Sequence, residues 1–103
     1  MVKANRYSEA EAKYTAALEL DPFNKKLNSV IYSNRALTFM KRKENLKALD
    51  DLNKSLELNP NYTKSLMRRA EVNMLREDYT NAIHDYAKIE QLDPTANLKA
   101  KIQ

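Results

Sequence analysis

The sequence predicts an all-α protein built as a stack of helical hairpins, and three observations carry that prediction. One phrase is written three times: A-L-E-L-D-P ending at Pro22, S-L-E-L-N-P ending at Pro60 and I-E-Q-L-D-P ending at Pro94, spaced 38 and then 34 residues apart. Glycine is absent and the only prolines are those three, so nothing breaks the segments between them. Within those segments, apolar and small residues recur at helical intervals. A repeating helix–turn–helix unit cannot bury its apolar face alone and must stack on its neighbours. Such a stack presents a groove, so the architecture points to binding rather than chemistry.

The elements follow in order. Tyr7, Ala10, Tyr14, Ala17 and Leu18 lie on one helix face, and Ser8 with Glu11 three residues on reads as a capping box that starts this helix at Tyr7. A second helix runs from about residue 26 to 42 through Ile31, Tyr32, Ala36 and Phe39. Leu46, Leu49, Leu52 and Leu56 stripe a third, which ends before Pro60. Leu66, Ala70, Val72 and Leu75 mark a fourth, and Tyr79, Ala82, Ile83, Tyr86 and Ile89 a fifth. Residues 95–103 read as the opening of a sixth. Asp21, Asn59 and Asp93 precede the prolines, which push them out of the α region and end each helix. Ala10, Ala36, Ala48, Ala70 and Ala82 are small enough to let paired helices approach closely. Every apolar residue in these stripes is expected in the core.

Composition narrows the function. At 103 residues the chain is one domain, divided as 1–22 (a partial repeat), 23–60, 61–94 and 95–103. No apolar run approaches the length of a membrane span, and the charged N-terminus is not a secretory signal. Cysteine is absent, which excludes disulfides and thiol chemistry and agrees with a cytoplasmic protein. The net charge of +4 concentrates in residues 23–60 and favours an acidic partner; most charges are expected on solvated outer faces. The single histidine, His84, has no cysteine or second histidine near it, so neither a metal nor a catalytic site is expected. Asp50 and Asp51 are adjacent, hence on different helix faces, and make a poor acid/base pair. No phosphate loop exists without glycine, and no cofactor is implied. The chain reads as non-enzymatic.

Tyr32, Ala36, Phe39, Ala48, Leu52 and Pro60, then Leu66, Ala70, Ala82, Tyr86 and Pro94, resemble the tetratricopeptide repeat (TPR) pattern over essentially the whole chain. The resemblance implies a right-handed superhelix of antiparallel helix pairs, here about two and a half repeats plus the start of a capping helix. Asn73 stands where the family carries an aromatic, and Ser55 and Ile89 where it carries alanine. The stretches Y-S-N-R-A (32–36) and K-S-L-M-R-R-A (64–70) look like the carboxylate-clamp subgroup, which binds the Glu-Glu-Val-Asp C-termini of 70- and 90-kDa heat-shock chaperones. The phrase D-P-F-N-K-K-L-N-S-V-I-Y-S-N-R is similar to the TPR region of J-domain co-chaperones of DnaJ subfamily C. The His-Pro-Asp tripeptide of J domains is absent.

The resemblance makes Asn34, Lys64 and Arg68 the candidate carboxylate-binding residues, with Lys41, Leu37 and Met40 as secondary peptide contacts. Asn34 and Arg68 are 34 residues apart and so occupy equivalent places on adjacent first helices; Lys64 lies one turn before Arg68. An amide, an ammonium and a guanidinium in one small volume suit the two carboxylates of a C-terminal aspartate. The expected function is therefore a co-chaperone adaptor for chaperone tails. A general TPR scaffold binding an internal partner segment is the alternative, and a basic RNA-binding solenoid a weaker one, because the tyrosines sit at packing positions and not among the cations. Neither nucleic acid nor membrane is an expected partner. Because the first helix of the first unit is missing or reduced to residues 1–6, Tyr7, Tyr14 and Leu18 are expected to stand exposed and to invite a homodimer.

Overall fold

The computed structural model describes residues 2–93, with side chains from residue 6 onward, and in that span it is five helices joined by short turns. They are α1 (Val2–Leu20), α2 (Lys25–Lys41), α3 (Asn45–Leu58), α4 (Thr63–Leu75) and α5 (Tyr79–Leu92). The sixth helix expected at 95–103 lies outside the described residues. None of the described helices is long and apolar enough to cross a membrane. α2 packs on α3 and α4 on α5 as antiparallel hairpins; α1 lies on α2, α3 on α4, and α2 also touches α4.

The prolines act as the sequence requires. Asn59 and Asp93 leave the helix with φ near −140° (−144° and −141°), and each backbone N–H still bonds back into its helix at 2.9 and 2.8 Å. After Pro22 the turn is held differently. The Asp21 carbonyl accepts from the Asn28 side-chain amide at 2.8 Å, and the Asn24 side chain caps α2 by accepting from the Leu27 N–H at 3.1 Å. The start of α1 differs from expectation. The helix is already formed at Val2, so Ser8 and Glu11 are interior residues and no cap. They instead face Arg42, which donates to Glu11 at 2.6 Å and to Ser8 at 3.5 Å.

Inside each hairpin the turn is made without glycine. Lys43 (φ 62°) and Glu77 (φ 61°) take the left-handed conformation. Around Lys43, the N–H groups of Lys43 and Glu44 bond to the carbonyls of Met40 (3.0 Å) and Phe39 (2.9 Å). Glu77 and Asp78 bond in the same way to Met74 (3.1 Å) and Asn73 (2.8 Å). Both are Schellman closures, which satisfy the last carbonyls of α2 and α4 and fold the chain back.

The core forms two layers. Ala36, Phe39, Ala48, Leu52 and Val72 join α2, α3 and α4; Leu56, Leu66, Ala70, Ala82, Tyr86 and Ile89 join α3, α4 and α5. Ala36, Ala48, Ala70 and Ala82 are wholly buried, consistent with close helix approach. Ser29, Ser55 and Ser65 are wholly buried as well. The Ser55 hydroxyl donates to the Ser29 carbonyl at 2.8 Å and the Ser29 hydroxyl to the Ser55 carbonyl at 2.9 Å; the Ser55 and Ser65 oxygens are 2.6 Å apart. One proton per hydroxyl satisfies all three groups, so α2, α3 and α4 meet at a point too tight for larger side chains.

Three expectations need correction. Leu46, Leu75, Tyr79 and Ile83 are exposed and not core, because the buried stripe of each helix is narrower than its apolar pattern. Tyr7, Tyr14 and Leu18 are half-buried, so the open α1 face expected to drive dimerisation is already partly covered. Finally, not all charges are solvated. Asp51 and Asp85 are almost fully buried, each held by two hydrogen bonds from an arginine of the partner helix. Asp50, beside Asp51, is exposed and pairs with Lys54 at 3.2 Å, so the two aspartates do face different ways.

The two buried pairs are copies. Arg35 donates from Nε and Nη2 to Asp51 at 2.7 and 2.8 Å, and from Nη1 to Thr15 of α1 at 3.0 Å. Arg69 donates from Nε and Nη2 to Asp85 at 2.8 Å each, and from Nη1 to Asn53 of α3 at 3.0 Å. Each guanidinium thus ties the two helices of its own hairpin to the second helix of the preceding unit. The Asp51 hydrogen bonds outweigh burial and hold Arg35 above the ordinary arginine pKa.

We expect Asp51→Ala to cost about 3 kcal/mol in urea unfolding, because it strands a partly buried guanidinium. In the opposite direction, Lys43→Gly should stabilise by about 1 kcal/mol by relieving the left-handed backbone. A null result for either in the same assay contradicts the assigned cause.

Candidate functional site

α2 and α4 lie side by side as the first helices of successive hairpins, and their facing surfaces bring two of the three primary candidates together. Arg68, in the middle of α4, reaches across to α2. Its Nη1 donates to the Ser33 carbonyl at 2.9 Å, the Ser33 hydroxyl at 3.0 Å and the Asn34 Oδ1 at 3.4 Å. Every one of these acceptors is neutral. The Nε–H and Nη2 groups of Arg68 make no hydrogen bond among the described residues, nor does the Asn34 amide nitrogen, whose oxygen is already turned to Arg68. Two sets of donors are therefore left facing the space between the helices.

The electrostatics of Arg68 set it apart from Arg35. Burial lowers its pKa below the ordinary arginine value, with Tyr62, Glu71 and Tyr14 acting the other way from nearby. The side chain has lost much of its hydration and has no carboxylate hydrogen-bonded to it in exchange. A desolvated cation with free donors is a strong receptor for an anion, since Coulomb attraction grows as water is excluded.

The remaining candidates are dispersed around this point. Lys64 is exposed on α4, one turn before Arg68, with no ion pair or hydrogen bond of its own. Leu37 and Met40 are half-buried along α2, Met40 resting on the Phe39 layer of the core, and Lys41 is exposed in the last turn of α2. Two further residues lie at the site and were not among the candidates. Ser33, wholly buried, fixes the direction of Arg68. Glu71, exposed three residues beyond Arg68, puts a negative charge beside it. The three-residue spacing from Arg68 is the sequence signal that finds Glu71; Ser33 lies inside the Y-S-N-R-A stretch, beside Asn34.

His84 is 77% exposed and stands 3.9 Å from Asp85, whose oxygens are already taken by Arg69. No group of metal-binding side chains occurs among the described residues.

Comparison with known proteins bears on the family and the fold. The tetratricopeptide repeat family model matches residues 29–62. DnaJ homolog subfamily C member 7 homolog of Dictyostelium discoideum is 36% identical over 92 residues, 89% of this chain and 17% of that protein. Human DnaJ homolog subfamily C member 7 is 35% identical over 97 residues, 94% of this chain and 20% of that protein. The chain thus spans about a fifth of the length of these curated relatives. Among solved structures, the first TPR of Spaghetti (RPAP3) bound to the HSP90 peptide SRMEEVD superposes with a TM-score of 0.84 at 28% identity, covering 98% of this chain and 78% of that one. Recurring phrases, stacked hairpins, repeated arginine–aspartate pairs and these matches agree: the chain belongs to the tetratricopeptide repeat family.

Proposed function

We propose that this chain is the protein-interaction module of a cytoplasmic co-chaperone, and that it receives the acidic C-terminal tail of a 70- or 90-kDa heat-shock chaperone between α2 and α4. Asn34, Lys64 and Arg68 hold the terminal aspartate, Arg68 through its free guanidinium edge. Leu37 and Met40 floor the preceding residues, and Lys41 steers their acidic side chains. The repeats divide as 1–22, 23–60 and 61–94. The module has no catalytic role; its work is to hold a chaperone by its tail.

The observation that carries this reading is the half-buried Arg68 with only neutral partners. A purely structural arginine in this molecule looks different, as Arg35, Arg69 and Arg42 each hold a carboxylate. Those same pairs speak against nucleic acid, because three of the larger cations are already neutralised and unavailable to phosphates. The peptide named with the structural neighbour, SRMEEVD, has the chemistry the site fits: two carboxylates at the terminal residue.

Calorimetry with an acidic tail peptide, free or amidated at its C-terminus, tests the reading. Lys64→Ala or Arg68→Ala should each cost about 1–3 kcal/mol of binding and flatten its salt dependence. Amidation should weaken the wild type by a similar amount; indifference to it would leave a scaffold that binds some internal segment. Stability provides an independent check. Arg68→Met should change urea unfolding by less than about 1 kcal/mol, since a desolvated charge without a counter-charge contributes little to folding.

A further inference from the structure

On the other side of α4 from Arg68, a polar cavity of about 310 Å3 lies between α3, α4 and α5, lined by Leu49, Asn73, Arg76, Asn81 and His84 together with the Arg69–Asp85 pair. The same groove occurs one repeat earlier, between α1, α2 and α3, as a cavity of about 400 Å3, and there a glutamate of α1 lines it. Arg42, which corresponds to Arg76, binds Glu11 at 2.6 Å and Glu44 at 2.7 Å, and its guanidinium lies 5.4 Å from the centre of the Phe39 ring.

In the second groove each of these partners is changed. Leu49 stands at the place of Glu11, and Asn73 at the place of Phe39. Asp78, the counterpart of Glu44, binds Asn81 instead, at 2.7 Å. Arg76 keeps one hydrogen bond, to the Asn73 Oδ1 at 3.2 Å, and its Nε and Nη2 are free. Asn73 is 4% exposed, yet its amide nitrogen makes no hydrogen bond among the described residues. That nitrogen reaches the solvent of the cavity and is open to an incoming acceptor. The only carboxylate lining the cavity, Asp85, is already bonded twice by Arg69. Two arginines against one aspartate leave the lining with a net positive charge, and Arg76 and the Asn73 amide contribute unmet donors.

We propose that this cavity binds an acidic side chain of a partner protein, seated on Arg76 and the Asn73 amide as Glu11 is seated on Arg42 one repeat earlier. The first groove shows which ligand chemistry such an arginine takes, and supplies it from α1. In the second, Asp85 is held by Arg69 and Asp78 by Asn81, so no carboxylate is bonded to Arg76 and one is taken from outside. Arg76 and Asn73 lie about 80° and 140° around α4 from Arg68, so one module can hold a terminal carboxylate in one groove and an internal acidic segment in the other.

The test uses an acetylated and amidated tetrapeptide, Ala-Glu-Glu-Ala, which has no free terminus for Arg68 to bind, titrated at low salt into isotope-labelled protein. Saturable shifts are expected at the side-chain amides of Asn73 and Asn81 and at the Arg76 Nε–H, and none with Ala-Gln-Gln-Ala. Arg76→Gln should weaken binding about tenfold or more, as loss of a charge-assisted pair does. Leu49→Glu, which restores the internal carboxylate, should abolish it while amide spectra elsewhere keep the folded pattern. Shifts confined to the Asn34–Arg68 groove, or shifts unaffected by Arg76→Gln, would overturn the proposal. Equal saturation by inorganic phosphate at the same concentration would overturn the assignment to a side-chain carboxylate.

Discussion

Each hairpin is locked to its predecessor by one partly buried guanidinium on a buried aspartate, and the geometry of the groove depends on that lock. Arg35 and Arg69 each meet an aspartate 16 residues on and a neutral oxygen of the preceding second helix. Bidentate pairing fixes both distance and rotation, which apolar packing alone leaves softer. The wholly buried alanines and the Ser29–Ser55–Ser65 junction then set how near the helices come. Together these contacts hold α2 and α4 at the separation that lets Arg68 span from one to the other. Charge inside the stack is thus a positioning device, in keeping with the specificity that paired buried ions can confer.

The fold was legible in the sequence because its signals are redundant. Three proline-ended phrases, absent glycine and helical stripes each point to the same hairpins, and consistency across levels is what makes a fold readable. Helix ends and the outer faces were less legible. The start of α1 was hidden because S-x-x-E also occurs inside helices, where here it serves Arg42. The hairpin turns were hidden because Lys43 and Glu77 occupy left-handed positions that glycine normally marks. Leu46, Leu75, Tyr79 and Ile83 fit the apolar period, but period does not tell how wide a buried stripe is.

At the candidate site, the one-repeat spacing of Asn34 and Arg68 was enough to put them on facing helices. What spacing could not reveal is that Arg68 reaches Ser33 as well as Asn34, or that its partners are all neutral. Those are properties of packing depth and of the side chains across the gap. The buried role of Asp51 was likewise invisible, since its partner is 16 residues away in Arg35 and no local pattern joins them. Long-range pairs emerge from a sequence only when the repeat is aligned on itself. Then Arg35–Asp51 and Arg69–Asp85 appear as one contact written twice.

α4 shows most directly how the fold divides stability from recognition. Arg68 and Arg69 are neighbours in sequence and identical in chemistry, yet a helix turns about 100° between them. That rotation sends Arg69 toward Asp85 and Asn53, where three hydrogen bonds complete it, and Arg68 toward the neutral oxygens of α2, where its donors stay unmet. The same logic separates Arg42 from Arg76, one completed by glutamates and one not. A repeat protein has few kinds of position to work with, and it differentiates them by which copies keep their internal counter-charge. Where the counter-charge is present, the arginine builds the stack; where it is absent, part of its guanidinium keeps unmet donors.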